Sequence, residues 1–316
     1  MPFLALIAAL GAALVWAAAS LIAHFPARTL GALRFTRIQL IASSLLLGLI
    51  VYFAGTWGTI AWDYWPELIV STLISVILGN LFMIACLRRG GPRRMQLLFA
   101  LNAPMAAVLG YVFLEETLSL QMSFGCLLAL VGVVLAILYG SHSKVPLIEG
   151  GQLGRSKIGL GSFETVQGPF AWVVIFGLLS ASCQAIGLIA IKPVMLAGTD
   201  PLAASFIRTG GAAIVLLIVS PLLVLKAKGT DTLKVKISSK LLAWTILPGF
   251  MGYVCAVSML LYALNNYETG VVAVLGSTAP VMLLPMIWYR TKQCPLLPAW
   301  VGAALTIVGA GLIANG

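Results

Sequence analysis

One unit of sequence occurs twice in this chain, and the duplication narrows the available folds more than any other feature. The first copy, 101–132, carries Pro104, turns over a short acidic link and continues with Gly125 and Gly132, seven positions apart. The stretch 275–309 has the same order of features 176 to 177 positions later, with a short basic link in place of the acidic one. Its corresponding residues are Pro280, Gly302 and Gly309. The sequence therefore predicts two structural repeats of the same kind.

Long apolar runs surround both copies and indicate the class of protein. Hydrophobic residues make up 61% of the 316 positions and charged residues only 9%, which is too few charges to cover a soluble domain. A membrane-spanning helix needs about 20 apolar residues. The runs are continuous and do not alternate, which favours helices over a barrel. Most of the net charge of +10 lies in short loops, which indicates membrane orientation and not nucleic-acid binding.

The predicted fold is an all-α membrane protein with ten transmembrane helices in two inverted five-helix repeats. The first repeat occupies 1–140, a linker loop occupies 141–168, and the second repeat occupies 169–316. Because each repeat has an odd number of spans, the second enters the membrane from the opposite side, which is typical of transporters. The predicted spans are 3–24, 34–54, 66–87, 94–114, 120–140, 169–192, 202–225, 241–264, 269–289 and 297–315.

The distribution of basic residues predicts the orientation in the membrane. If the loops after the odd-numbered spans share one side, that side holds 17 of the 19 lysines and arginines. Leaving out the three in the linker, the ratio is 14 to 2, with Lys192 and Arg208 as the exceptions. The positive-inside rule then places this side in the cytoplasm and both termini outside.

The two copies resemble the EamA-like transporters of the drug/metabolite transporter superfamily. That family's end-of-repeat pattern, a Gly-Glu-Arg-like link before a helix with two spaced glycines, is similar to FLEETLSLQMSFGCLLALVGVVL. The motifs NAP, from Asn102, and GPRR, from Gly91, also fit. The link departs from the pattern, since it reads Glu115-Glu116-Thr117 here and has no acid in the second copy. The resemblance implies a small-metabolite transporter, often an amino-acid exporter, with a central cavity between the halves. Ten-helix relatives are usually drawn with both termini in the cytoplasm.

Polar and aromatic side chains within the predicted spans are the candidates for a substrate site, because polar groups are costly in lipid and usually face the protein interior. The alternative for the amides is a hydrogen bond between helices, and for the serines a bond to a carbonyl of their own helix. For the aromatic residues it is packing or lipid contact. The predicted substrate-binding residues are Trp16, Ser20, Asn80, Asn102, Gln184, Arg208, Tyr253 and Ser277.

Pro104 and Pro280 are predicted to break their helices. Each lacks an N–H and so leaves the carbonyl four residues earlier, of Ala100 or Gly276, unpaired. Within a membrane such a carbonyl needs a partner, which a side chain, water or the substrate could supply. A plain structural kink is the alternative.

The charges predict the kind of substrate. None of the nine acids lies in the middle of a predicted span, so the chain lacks the mid-membrane carboxylate on which the small multidrug cation exchangers of the superfamily rely. Arg34, Arg37 and Arg208 stand at the entrances of two equivalent spans, and arginine pairs with carboxylates through two parallel hydrogen bonds. We therefore expect a neutral or carboxylate-bearing substrate, and transport without a titrating acid in the membrane.

These observations predict a secondary transporter, an exporter of a small polar metabolite such as an amino acid. The spans contain no carboxylate pair, HExxH or Gly-x-Ser-x-Gly motif, so we expect no catalysis, cofactor or metal. The expected partners are a small-molecule substrate and the lipid bilayer, but no nucleic acid, with the chain as a monomer or homodimer in the bacterial inner membrane. A flippase-like carrier of a lipid or sugar conjugate is the alternative within transport, and an intramembrane enzyme the alternative outside it.

Overall fold

The computed structural model describes residues 2–116, 119–139, 169–226, 238–291 and 296–314. Over these ranges the chain is helical and has no strand. Three predicted features lie outside the described residues. They are the linker 141–168, most of the basic loop 226–240, and Thr117 of the acidic link.

The described helices fall into a first and a second half of the chain. Those of the first half are α1 (Pro2–Leu30), α2 (Ala32–Ala54), α3 (Trp65–Val70), α4 (Asn80–Phe99), α5 (Asn102–Leu114) and α6 (Leu120–Tyr139). Those of the second half are α7 (Phe170–Leu196), α8 (Pro201–Lys226), α9 (Ser239–Gly249), α10 (Val257–Leu264), α11 (Thr269–Gly276), α12 (Ala279–Thr291) and α13 (Leu297–Ala314). A π-helical segment, Ser71–Gly79, joins α3 to α4, and another, Phe250–Ala256, joins α9 to α10.

Seven helical stretches in the described chain are long and apolar enough to cross a membrane, and three shorter apolar helices accompany them. The three are Asn102–Leu114, Leu120–Leu135 and Leu297–Gly309. The all-α class is therefore confirmed for the described residues, whereas the count of ten spans stays a prediction.

Four of the predicted spans are not continuous α-helices. Spans 66–87 and 241–264 contain the π segments, while 94–114 and 269–289 are broken between α4 and α5 and between α11 and α12. The breaks fall at equivalent places, because α5 and α12 begin 177 positions apart and the π segments also end 177 positions apart. The interruptions therefore belong to the duplicated unit and not to one copy of it.

The two predicted helix-breaking prolines lie just after these breaks. Pro104 is the third residue of α5 and Pro280 the second of α12. In the first helical turn the missing N–H has no partner to lose, so proline is tolerated there. The Ala100 carbonyl accepts a hydrogen bond from the Ala103 N–H at 3.3 Å, so the prediction that this carbonyl is unpaired is wrong. The corresponding prediction for Gly276 stays a prediction.

Helices of the two halves pack against each other in reciprocal pairs. Two contacts join equivalent elements: α2 with α8, and α6 with α13. Another pair of contacts is reciprocal. Helix α1 packs on α9 and α10 of the second half, and α7, the equivalent of α1, packs on α4 and the π segment before it in the first half. Contacts of this kind are those that a two-fold relation between two copies produces.

The two ends of the bundle differ in their charge and in their packing. One end, called the basic end below, carries Arg28, Arg88 and Arg94. There the Nε of Arg28, at the end of α1, donates to the Arg88 carbonyl at 3.4 Å. The other, called the opposite end, carries the connections between α5 and α6, α7 and α8, and α10 and α11. The largest apolar core fills the bundle from the opposite end inward. Its fully or almost fully buried members include Ala9, Val51, Ile191, Leu264 and Val271.

The glycines of the duplicated unit bring α6 and α13 into backbone contact. A Cβ on Gly132 would lie 2.5 Å from the Gly302 carbonyl oxygen, and one on Gly309 would lie 2.6 Å from that of Gly125. The two contacts are reciprocal between the copies. Close helix packing, the role predicted by the seven-residue spacing, is confirmed for these residues.

Replacing Gly309 with alanine is expected to lower the stability of the detergent-solubilised protein by about 1–3 kcal/mol, because the added methyl group meets backbone that cannot move aside. The neighbouring Gly311→Ala is the matched control, since a Cβ there has no atom within 4 Å. The measurement is the melting temperature of both variants. Equal melting temperatures would show that α6 and α13 do not depend on this contact.

Candidate functional site

A cavity lies between the two halves, from the middle of the bundle toward the basic end. Together with the open solvent at its mouth it comprises about 1000 Å³, and its wall is formed by α1, α2, α4, α7 to α12 and both π segments. Its polar lining consists of Ser20, Gln39, Ser75, Asn80, Gln96, Gln184, Ser205, Arg208, Thr209 and Tyr253. Residues from both halves thus form a single polar surface inside the protein.

Arg208 is the charged residue in the described lining. It is the eighth residue of α8, which places it about 10 Å along the helix, and only 5% of it is exposed. The sequence placed this arginine at the entrance of its span, and the structure corrects this: it lies inside the protein. Its Nη2 donates to Ser75 Oγ at 3.3 Å, whereas its buried Nε has no hydrogen-bond partner.

Ser75 and Gln184, which also line the cavity, hold the arginine in place. The Ser75 hydroxyl donates to Gln184 Oε1 at 2.8 Å, and Gln184 Nε2 donates back to the Ser75 carbonyl at 3.3 Å. Because a hydroxyl has one hydrogen, the bond to Gln184 leaves the oxygen lone pairs of Ser75 for Arg208. Ser75 lies in the first π segment and Gln184 in α7, so the interface between the halves positions the arginine.

The described lining contains no aspartate or glutamate. A buried guanidinium without a counter-charge raises the free energy of the protein. Binding of an anion in the cavity would lower it. The predicted absence of acids from the middle of the spans agrees with this wall.

Toward the basic end the lining becomes mostly apolar, with Gln96 as its polar member. Trp16 and Phe99 meet edge to face, with their ring centroids 6.4 Å apart. Further apolar residues of this part are Phe35, Met83, Ile84, Leu87 and Met95. The cavity therefore has a polar part around Arg208 and an apolar part beside it.

The structure brings together most of the predicted substrate-binding residues. Those that line the cavity are Trp16, Ser20, Asn80, Gln184, Arg208 and Tyr253. Asn102 and Ser277 do not belong to its described lining. The Ser277 hydroxyl donates to Asn102 Oδ1 at 3.3 Å, so for this pair the geometry supports the alternative, a hydrogen bond between helices of the two halves.

Several lining residues were missed by the sequence analysis. Ser75 and Thr209 read as ordinary helix hydroxyls, and Ser205 lies one turn of α8 before Thr209. A usable signal was present in α8, where Ser205, Arg208 and Thr209 lie three and four positions apart and therefore share one face. Gln96 had no such signal, because it follows the Gly91 bend, where φ is 77°.

A second polar cluster fastens the two halves at the opposite end. Glu116, after α5, accepts bonds from the Thr269 N–H at 2.9 Å and the Thr269 hydroxyl at 2.8 Å. Lys192 of α7 lies 3.8 Å from the same carboxylate, and its Nζ donates to the carbonyls of Leu264, at 2.8 Å, and Tyr267. The side chains of this pair are only 10% and 12% exposed. We call Glu116, Lys192 and Thr269 the clasp.

Loop contacts reinforce the clasp at the same end. The Asp200 N–H donates to the Thr59 hydroxyl and the Ala61 N–H to the Thr199 hydroxyl, each at 3.0 Å. The opposite end is thus closed both by the apolar core and by polar bonds between the halves.

Comparison with known proteins agrees with this architecture. The model of the EamA-like transporter family matches residues 3–138 and 171–315. One solved structure, described only as "Crystal structure of protein", is 14% identical over 98% of this chain and 95% of its own, with a TM-score of 0.68. At this identity the likeness concerns the fold alone. No curated protein matches the chain.

Proposed function

The chain belongs to the EamA-like transporter family, a branch of the drug/metabolite transporter superfamily, and on that premise we propose that it is a secondary transporter that exports a small polar metabolite such as an amino acid. It is an integral, multi-pass membrane protein, and we place it in a bacterial inner membrane. The observation that carries the proposal is the cavity between the halves, with its polar wall and buried Arg208.

We propose that the apolar helices form ten spans in two inverted repeats, 1–140 and 169–316. The equivalent breaks and π segments, and the reciprocal pairing of helices, support this arrangement. Inverted repeats are related by a pseudo-two-fold axis in the membrane plane, so an exchange of conformation between the two copies gives a second state open to the other side. Alternating access of the cavity to the two sides of the membrane then follows.

The described conformation supports one half of such a cycle. The cavity reaches toward the basic end, while the opposite end is closed by the apolar core and the clasp. With the basic end in the cytoplasm, as the charge distribution predicts, this conformation is closed to the outside. Release of an exported substrate then requires the clasp to open.

The experiment that tests the function is transport by the purified protein in liposomes, with a panel of radiolabelled amino acids and other small metabolites. Saturable uptake of at least one metabolite, absent from protein-free liposomes, is the expected result. Movement of a labelled lipid between leaflets, with no metabolite transported, would favour the flippase-like carrier. Chemical conversion of a substrate without its movement would favour an intramembrane enzyme.

A further inference from the structure

We infer that the cavity binds amphipathic monocarboxylates: the carboxylate is the group it requires, an ammonium group is dispensable, and an apolar group fills the part toward the basic end. This inference rests on the proposed transport function, and it narrows the substrate to one chemical class. It goes beyond an amino acid as such, because it separates the two charged groups of an amino acid and assigns a partner to only one of them.

The carboxylate requirement follows from the positive charge of Arg208, which has no counter-charge in the described lining. A guanidinium presents five N–H donors in a planar fork, and a carboxylate matches two of them at once. The described bond to Ser75 uses Nη2, and the buried Nε is left without a partner. Ser75, which is itself bonded to Gln184, holds the guanidinium through Nη2. A carboxylate in the cavity supplies the missing counter-charge and an acceptor for guanidinium N–H groups that the bond to Ser75 does not use.

The ammonium group of an amino acid has no such partner. The described wall of the cavity contains no carboxylate. Glu116, the buried carboxylate that joins the two halves, is already engaged by Lys192 and Thr269 at the opposite end. An ammonium in the cavity therefore meets neutral oxygens and aromatic rings but no opposite charge, which compensates its removal from water less well than an ion pair does.

The apolar part of the cavity accounts for the rest of the substrate. Its wall is formed by Trp16, Phe99, Met83, Ile84, Leu87 and Met95. Methionine side chains adapt to irregular shapes, so this part accepts branched aliphatic as well as ring-containing groups. Burial of an apolar group here is favourable by about 25 cal/mol per Å², whereas a second charged group would be opposed.

A matched set of three ligands tests the inference: leucine, isocaproate, which lacks the ammonium of leucine, and isoamylamine, which lacks its carboxylate. Binding to the purified wild-type protein in detergent is measured by isothermal titration calorimetry. We expect isocaproate to bind at least as tightly as leucine. The dissociation constant of isoamylamine is expected to be at least about tenfold higher than that of isocaproate. The inference would be overturned if isoamylamine bound more tightly than isocaproate, or if isocaproate did not bind at millimolar concentration.

Substitutions of Arg208 test its role in the same assay. Arg208→Gln is expected to weaken isocaproate binding by about ten- to a hundredfold, the range of a charge-assisted bond, and Arg208→Lys by less, because lysine keeps the charge but not the fork. Lys240→Gln, which removes the positive charge of an exposed residue of α9 outside the described lining, is the control and is expected to change little. Unchanged affinity in Arg208→Gln would overturn the role. If Arg208→Gln does not fold, the role of Arg208 is tested by the affinity of Arg208→Lys for isocaproate and by the three ligands with the wild-type protein.

The outcomes also separate this inference from the proposed function. If the liposomes transport a neutral metabolite while isocaproate does not bind, the inference fails and the transport function stands. If isocaproate binds at Arg208 but no metabolite is transported, the site stands and the transport function fails.

Discussion

Replacing Lys192 with methionine is expected to destabilise the closed opposite end by about 3–5 kcal/mol, the range measured when one partner of a buried ion pair is removed. The substitution keeps most of the side-chain volume but leaves Glu116 as a nearly buried charge. It also leaves the carbonyls of Leu264 and Tyr267 without their donor. The expected readouts are a lower melting temperature and a larger population of protein open at the opposite end, since that state frees these groups to meet water.

The double variant Lys192→Met with Glu116→Gln is the control for this prediction. With both charges gone the uncompensated carboxylate is gone too, so the double variant should be more stable than Lys192→Met alone. A double-mutant cycle on melting data gives the coupling between the two residues. Additive effects of the two substitutions would show that the clasp does not act as an ion pair.

Gly187→Ala is expected to disable transport although it alters no residue of the described lining. Gly187 of α7 lies against Ser75: an added Cβ would overlap the Ser75 Cβ and stand 2.7 Å from its hydroxyl oxygen. The Ser71 hydroxyl also donates to the Gly187 carbonyl at 2.9 Å, so the two backbones cannot easily separate. Ser75 must therefore shift, and Arg208 with it. Uptake should fall by roughly a hundredfold, the size of loss that a displacement of about 1 Å causes at other sites that depend on exact geometry.

The neighbouring Gly211→Ala is the control for Gly187→Ala. Gly211 lies on α8 and faces the same π segment, but its added Cβ would meet only the Thr72 Cγ2, at 3.4 Å. The measurement is uptake of the metabolite that the wild type transports, together with the melting temperature. Equal activity in the two alanine variants would indicate that the position of Ser75 does not matter for transport.

The sequence predicted the fold in outline because helix formation in a membrane depends on the length of apolar runs, which is directly visible. The breaks were not visible in the same way. STLISVILG is as apolar as the helices around it, yet it forms the π segment Ser71–Gly79. The wider i→i+5 turns shift the faces of the helix, and in a run that is apolar on most sides this shift cannot be recognised from the sequence.

The site was predicted in part, for a different physical reason. Arg208, Asn80 and Gln184 could be selected because polar groups within spans are rare and costly. Their burial and pairing depend on which helices meet, and this information is not local. Lys192 and Glu116 are 76 positions apart in the sequence, and no local pattern around either residue predicts that they form an ion pair. Asn102 and Ser277, 175 positions apart, were expected in the cavity for the same reason, and they bond to each other instead.

Access to the cavity from both sides of the membrane is the central claim, and a cysteine at Val257 tests it most directly. Val257 lines the cavity and is partly exposed, and the five native cysteines are first replaced by alanine. A membrane-impermeant thiol reagent is then applied to intact cells and to inside-out vesicles. We predict rapid labelling from the cytoplasmic side and slower labelling from the outside, which Lys192→Met accelerates. Labelling from one side only, unchanged by Lys192→Met, would contradict alternating access.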